Sequence, residues 1–500
     1  MVTSQYIATH TSHNRADLER IAVAAMHERQ LLPEFSQEVL EQVKLIGGPA
    51  QTAGPDVRDQ RALLWCSIDN DDSLDLDQLT CCEVLESGNT RLLVAIADVD
   101  AVVKQGSAID AHAYVNTASV YTSARIFPML PERLSNDLTS LNPGQDRLAI
   151  VTEMDFSAKG VLQRSSVYRA MVKNHAKLAY DSVALWLEGQ GPLPDPAKEI
   201  QGMELQLRMQ DALAQKLRAV RHAHGSLEFE TFQPHAVFAE DRVVDIRLQI
   251  QNRARQLIEE FMIATNGCTA RFLARSRTGS LRRVVRSPER WLRIVEVARQ
   301  YGEALPPDPD SRALEGFLAK RRLADPLRFA DLSLVIVKLM GSGEYVVESP
   351  GGSPIGHFGL AVRDYTHSTA PNRRYPDLVT ARLLKAALAH QEAPYSLAGL
   401  AALALHCTRQ EDSARKVERR MRKSDAAMLL ESRIGEEFTA IVTGNTPEGV
   451  WVRLLSPPVE GKLLGSIVRP AVGVQVRVTL VSTNVERGFI DFALAIGVTQ

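Results

Sequence analysis

Cysteine is scarce. There are five in 500 residues (Cys66, Cys81, Cys82, Cys268 and Cys407), and no two stand in a C-x-x-C spacing. So few in so long a chain build no disulfide framework, and their spacing builds no zinc site. A reducing compartment follows, and the cytoplasm is the expected location. An excess of charge is lacking too: Lys+Arg number 58 and Asp+Glu 60, a formal net charge of −2. Such a balance exerts no general pull on nucleic acid or anionic lipid, so any polyanion site must be a local patch. No run of 18 apolar residues is present, and no membrane partner is expected. The opening MVTSQYIATHTSHNR lacks the basic region and apolar run of a secretory signal. Internal repeats and low-complexity tracts are also missing. What remains is ordinary globular composition, 45% hydrophobic and 24% charged. The length suits about three domains of ~150 residues each.

The expected architecture is α+β and multidomain. Residues 13–30 place Leu18, Ile21, Ala22, Ala25 and Met26 at helical spacing, with Ser12 or Asn14 as cap. Ser36 can cap a second helix bearing Val39, Leu40, Val43 and Ile46, stopped by Gly47-Gly48. This pair reads as a small helical N-terminal module over 1–60, closed by the linker GGPAQTAGPD (47–56). It is compatible with a helix-turn-helix or with a plain packing module, and its partner stays open. Residues 61–430 read as a mixed α/β catalytic domain. RALLWCSI, RLLVAIADV, 161–172 and LEFETFQPHAVF (227–238) are strand-like. Residues 203–220 and 254–273 carry helical apolar stripes, and a long charged helix covers about 405–433. Residues 431–500 hold EEFTAIVTG, GVWVRLL, EGKLLG, QVRVTLVS and FIDFALAI, five short strands that suit an OB-fold β-barrel. Trp451 in GVWVRLL is a surface stacker or a core anchor, and the core is the favoured place.

The strongest chemical signal is SIDNDDSLDLDQ (67–78), with Asp69, Asp71, Asp72, Asp75 and Asp77 packed between apolar strands. Converging carboxylates repel, and holding them ionised beside a core calls for a cation. Asp75 and Asp77 share a face if the segment is extended, and Asp69 can fold back from the preceding strand. All-oxygen ligands suit Mg²⁺ or Mn²⁺ rather than zinc. The calcium-loop reading fails, because the sixth position is Leu74 rather than Gly and the twelfth is Thr80 rather than Glu. A solvated acidic turn is the plain alternative.

Positive charge is concentrated in stretches. Arg373 and Arg374 stand between Pro371 and Pro376, whose rigid backbone suits guanidinium–phosphate recognition. Residues 271–293 carry eight arginines against the single acid Glu289, and 409–423 add Arg415, Lys416, Arg419, Arg420, Arg422 and Lys423. Three such runs beside an OB barrel suit a channel for a polynucleotide backbone, although any one alone is usually a solvated face. His357, His367, His222 and His224 are expected in solvent or core hydrogen bonds. Tyr121, among polar loop residues, is placed to stack on a base.

Several strings together resemble the RNase II/RNase R family, whose catalytic unit is the RNB domain. They are SIDNDDSLDLDQ (67–78), VAIADVDAVVKQGSAIDAHAYVNTASVY (94–121), IFPMLPERLSNDLTSLNPGQDRLAI (126–150), LIEEFMIATN (257–266) and HFGLAVRDYTHSTAPNRRYPDL (357–378). They occur in family order over about 61–390, and the C-terminal barrel stands where the family carries its RNA-binding OB domain. The resemblance implies a processive 3′→5′ exoribonuclease acting on single-stranded RNA, dependent on Mg²⁺ and releasing nucleoside 5′-monophosphates. Metal-binding and catalytic aspartates fall on Asp69, Asp75 and Asp77, the arginine facing the scissile phosphate on Arg373, and the stacking aromatic on Tyr121. Arg374 is expected to share the phosphate or bind the next one, and Phe229 or Phe232 to add stacking. The protein is expected to act as a monomer. Three departures stand out. Gln78 replaces the last of the consecutive aspartates, and Asn372 alters the S-P-I-R-R-Y pattern. Third, some 60 helical residues stand where two cold-shock barrels are usual. Beyond these three, a Lys-rich tail of the RNase R kind is not expected. The rival reading is an RNB-fold RNA-binding protein whose catalysis Gln78 has impaired.

Overall fold

A computed structural model describes residues 13–51, 56–230, 234–248, 251–465 and 470–495; the linker residues 52–55 and Phe232 lie outside them. The first helix, α1 (Arg15–Glu28), starts at Asn14, whose side chain accepts the Asp17 amide while the Asp17 carboxylate accepts the Asn14 amide. That reciprocal box satisfies two donors that a helix start leaves unpaired. Helix α2 (Gln37–Leu45) is capped by Ser36, as its spacing predicts.

The centre is a seven-stranded sheet. In chain order its strands are β1 (Val57–Asp59), β2 (Cys66–Asp69), β3 (Gln78–Val84), β4 (Thr90–Ala97), β7 (Asp146–Phe156), β8 (Leu162–Lys173) and β9 (Ala176–Ala179). In space they run β1-β8-β7-β4-β3-β2-β9, parallel at both edges and antiparallel between. A two-residue pair, β5 (Val120–Tyr121) and β6 (Ile126–Phe127), makes a separate hairpin. Period-two alternation divides the side chains. Cys82, Leu92, Val94 and Met154 pack on one side with Leu207 and Leu213 of α3 (Met203–Ala223) and Phe261 of α4 (Arg253–Arg275). Leu79, Cys81, Leu93 and Ala95 pack on the other, under Leu378 and Leu383 of α5 (Tyr375–Leu388) and Leu400 of α6 (Leu397–Leu430).

Two strand expectations are shortened. Of 227–238, the strand is β10 (Pro234–Ala239), which pairs with β11 (Arg242–Leu248). Glu228 is instead held by Arg218 and Arg322, which takes that segment out of any ladder. Residues 61–65 turn rather than extend, because Arg61 is anchored to Asp59 and Asp146.

Strands β12 (Ser280–Val284) and β13 (Glu344–Glu348) form another pair. The C-terminus closes as the expected five-stranded barrel: β14 (Glu437–Thr446), β15 (Gly449–Leu454), β16 (Glu460–Leu464), β17 (Gln475–Asn484) and β18 (Phe489–Leu494). Val450, Val452 and Leu454 of β15 are buried, and the alternate residue Trp451 is half-buried on the outer side, not in the core. The 34 residues of α6, about 50 Å long at 1.5 Å per residue, bind barrel and sheet into one body. Leu400 and Cys407 lie in the sheet's core, while Val417, Met421 and Met428 share a core with Phe438 and Phe492 of the barrel. Leu18, Ile21 and Met26 of α1 join that second core, but Val39 and Val43 of α2 join the first. The two N-terminal helices thus have no core of their own. Among the described residues no helix is long and apolar enough to cross a membrane.

Candidate active site

Asp69 ends β2 and Asp77 stands directly before β3, so the acidic segment is the loop between two central strands. Asp69 Oδ1 accepts the Asn70 amide at 2.8 Å and the Ser73 hydroxyl at 3.0 Å, which folds the loop back on itself. Its outgoing arm is sewn to residues 140–141: Leu76 N donates to Ser140 Oγ (3.0 Å), and Leu141 N to Leu76 O (2.9 Å). Asp71 and Asp72 face solvent, as the plain acidic-turn reading has it. Asp69, Asp75 and Asp77 turn inward, towards the loop that precedes α5.

That loop carries the arginines. Asp77 is 1% exposed, and each of its oxygens takes a donor from it: Asn372 N at 2.9 Å and Arg373 Nε at 3.1 Å. Burial pushes the Asp77 carboxyl up to about 7, against the opposing pull of Arg373. Arg373 spends Nε there, while its side chain stays 44% exposed. Among the described residues Asp77 is the one carboxylate in ion-pair contact with it. Arg374 differs. It stands at the N-cap of α5, 2.7 Å from buried Asp377, and that carboxylate also accepts the Ala370 amide. The tandem arginines therefore divide: Arg373 faces the acidic loop and Arg374 fastens its own loop.

Tyr121 enters from a third side. The segment leading to it is stitched to the arginine loop by Ser119 N to Arg373 O (3.0 Å) and Tyr375 N to Thr117 O (2.7 Å). Its hydroxyl donates to Asp75 Oδ2 at 3.3 Å. Burial raises the Asp75 carboxyl, Arg373 lowers it, and Asp69 raises it again. Asp69 and Asp75 are thus near enough to repel, and both are partly exposed.

Behind the loop opens a cavity of about 930 Å³, within the range of nucleotide-sized pockets. Tyr180 and Arg255 form its near wall; the Arg255 guanidinium lies 4.4 Å from the Tyr180 ring centre and donates to Asn70 Oδ1 at 2.9 Å. Phe229 lines the same cavity and is not brought against Tyr121 or Arg373. The spacing of sequence motifs missed Tyr180 and Arg255, and marked Asn372 only as a departure from the family pattern, not as the backbone donor to Asp77. Nothing local marks Tyr180, but Arg255 and Asn372 lie beside or within strings already singled out.

The sequence grouped Asp69, Asp75 and Asp77 as metal ligands. Among the described residues no three His, Cys, Asp or Glu side chains converge to hold a metal ion. Asp77 is turned to Arg373 instead. Asp69 and Asp75 remain as two hard-oxygen donors that repel each other and form no ion pair. Mg²⁺ characteristically takes one or two carboxylates and completes its shell with water and substrate phosphate, so this donor set fits it.

The basic runs are used internally only in part: within 271–293 the buried pairs of Arg282 and Arg283 take those two out of a channel, while Arg275, Arg277 and Arg290 stay exposed and without ion pairs among the described residues. Arg282 pairs with Glu348, Arg283 with Glu411, Arg286 with Glu344 and Arg293 with Glu296. On α6, Arg415, Lys416 and Arg420 pair with Glu411, Asp412 and Glu28. Arg419, Arg422 and Lys423 remain exposed and without ion pairs among the described residues. Of the histidines, His367 meets the Tyr345 hydroxyl (2.8 Å), His357 accepts the Leu360 amide, and His222 pairs with Glu315.

Residues 57–390 match the family model described as the RNB domain, and residues 436–495 match the RNase II-type exonuclease C-terminal S1 domain. Ribonuclease R of Vibrio parahaemolyticus is 31% identical over 459 residues, 87% of this chain and 53% of that protein. Ribonuclease R of Thermotoga maritima is 32% identical over 461 residues, 88% of this chain and 62% of that protein. The chain thus spans between about half and three fifths of the length of these relatives. Mycoplasma genitalium RNase R, solved in complex with ribose-methylated single-stranded RNA, superposes with a TM-score of 0.86 at 22% identity, covering 96% of this chain and 78% of that one. At that identity the likeness is one of fold.

Proposed function

The chain belongs to the RNB-domain family, and on that premise we propose that it is a 3′→5′ exoribonuclease. It hydrolyses single-stranded RNA processively to nucleoside 5′-monophosphates, as a cytoplasmic monomer. The observation that carries this reading is Arg373, held through Nε by buried Asp77, partly exposed, and near enough to Asp69 and Asp75 to feel their charge. A guanidinium fixed by one edge presents its other donors to a phosphate without reorganising.

Asp69 and Asp75 would hold Mg²⁺, with Mn²⁺ as substitute, and the ion when bound supplies Lewis acidity at the scissile phosphate and acidifies a water. Arg373 neutralises the charge that grows on the phosphoryl oxygens. Asp77 acts mainly by aiming Arg373, and Arg374 acts by bracing the loop through Asp377. Tyr121 stacks a base without reading it, and Phe229 offers an apolar ring inside the cavity. Phosphate, sugar and stacking contacts carry little base information, so cleavage is independent of sequence. The units that carry these roles are 1–60, 61–430 and 431–500, the last an RNA-gripping barrel.

Gln78 supports a second reading. It stands at the head of β3, 5% exposed, and offers no anionic ligand beside Asp77. An RNB body that binds RNA and no longer cuts it would look the same in outline. The test is a time course on 5′-labelled single-stranded RNA with Mg²⁺ or EDTA, beside Asp77→Asn. Short labelled end products without a ladder, lost with EDTA and in the variant, support the nuclease. RNA that is bound and stays intact overturns it in favour of the second reading.

A further inference from the structure

We propose that Glu418 and Asp425 of α6 are positioning residues for Tyr121; the proposal rests on the stacking role given to Tyr121 above. The hairpin that carries this ring has two residues in each strand. A two-stranded ribbon of that size has little stability of its own, so its neighbours must fix its tip. Glu418 Oε1 accepts the backbone amide of Tyr121 at 3.1 Å. Asp425 Oδ1 accepts the Ser123 hydroxyl at 2.6 Å. Seven residues separate the two acids, two helical turns, so they project from one face of α6. The first bond constrains the backbone of Tyr121 itself and so sets the direction of its Cα–Cβ bond.

Neither acid forms an ion pair among the described residues, and Asp425 is 3% exposed. Arg422 offsets the charge of each from a distance but contacts neither, and a buried carboxylate with no cation in contact costs folding energy, so packing alone does not account for Asp425. Helix α1 closes the opposite flank. Arg15 Nη2 donates to Ala124 O at 3.3 Å, and Arg125 pairs with Glu19 at 3.3 Å. Leu18 and Ile21 pack in one apolar cluster with Val120, Ala124 and Phe127. Held between α1 and α6, the hairpin brings the Tyr121 hydroxyl to Asp75 and leaves the side of the ring for a base.

The probe is single-stranded RNA with 2-aminopurine as its 3′-terminal base, bound by the full chain in EDTA so that it is not cut. Stacking quenches the fluorophore. Glu418→Ala should weaken quench-monitored binding about tenfold, the scale of one lost base–aromatic stack. Glu418→Gln should restore it, because an amide oxygen still accepts the Tyr121 amide. In a Tyr121→Ala background Glu418→Ala should change nothing further. Asp425→Leu should behave like Glu418→Ala, and Asp425→Asn like Glu418→Gln. Equal losses with and without Tyr121, or full quenching in Glu418→Ala, overturn the proposal. Amide hydrogen exchange over 119–127 tests it without RNA. Faster exchange at Tyr121 in Glu418→Ala is expected, and unchanged exchange overturns it. A wild-type chain that binds the RNA with no quench that Tyr121→Ala removes refutes the stacking role instead.

Discussion

Asp425→Asn should make the protein more stable at alkaline pH and progressively less so on acidification. Asp425 is buried on α6 with one hydroxyl partner, and burial pushes its carboxyl up to about 7 from 3.8, Ser123 and Arg422 opposing only in part. The sign follows from linkage. Between about 4 and 7 the folded chain holds a proton that the unfolded chain has released, so stability falls as pH rises through this window. The fall is about 1.4 kcal/mol per pH unit, which sets a ceiling near 4 kcal/mol above pH 7. Asparagine keeps the acceptor for Ser123 and removes the ionisation. Structural relaxation lowers the ceiling, so a gain of about 1–3 kcal/mol is expected at pH 8, on the scale of what removing a buried unpaired polar charge yields. The assay is urea and thermal unfolding of both proteins at pH 8 and pH 5 at one ionic strength. The gain should shrink by more than half at pH 5. A variant less stable than wild type at pH 8, or equally stabilised at both pH values, refutes the argument.

Arg373→Ala should lower single-turnover cleavage about 10²–10³-fold, the scale of losing one preorganised charge-stabilising donor, with RNA affinity changed only a few-fold. Arg373→Lys should not rescue it, because an ammonium cannot bond Asp77 and a phosphate from two edges of one planar group. Asp75→Asn should raise the Mg²⁺ concentration for half-maximal cleavage by at least about tenfold, since one of two carboxylate donors is lost; cleavage that is insensitive to EDTA would contradict the donor assignment. Arg283→Ala, which breaks the near-buried pair to Glu411, should cost roughly 3 kcal/mol in urea unfolding. The slope of RNA affinity against salt should stay unchanged, because this arginine is internal.

The fold was largely legible because its signals are local. Asn14, one of two cap candidates, and Ser36 announce the two first helices, and the alternating strands after 436 announce a barrel. The acidic loop was legible for the same reason. What escaped depends on partners far apart in the chain. Arg282 and Arg283 look like nucleic-acid ligands until Glu348 and Glu411, 66 and 128 residues away, are seen to take them. Asp77 looks equivalent to Asp75 until the arginine loop covers it. The Tyr121 hairpin is too short for any periodicity, and Trp451 shows only in register that it sits on the outer face of β15. Arg373 and Arg374 are adjacent and chemically identical. The helix that begins after them decides which faces the loop and which serves as its brace.

That division bears on Gln78, where the sequence departs from consecutive aspartates. With Asp77 committed to Arg373, the proposed cation would be left to Asp69 and Asp75, and a neutral residue at 78 costs less to bury than a carboxylate. Gln78→Asp tests this. A second carboxylate next to Asp77, at a position 5% exposed, adds repulsion and desolvation that Arg373 cannot offset alone. In EDTA the variant should unfold at a lower temperature than wild type. If position 78 faces the cation site, Mg²⁺ should recover the loss, and recovery should grow with the logarithm of its concentration once the site is saturated. Wild type should gain less over the same titration. A variant that is destabilised and recovers no more than wild type would place residue 78 outside the cation's shell, leaving Asp69 and Asp75 as its ligands. A variant as stable as wild type in EDTA would refute the argument that burial of charge sets the residue at this position.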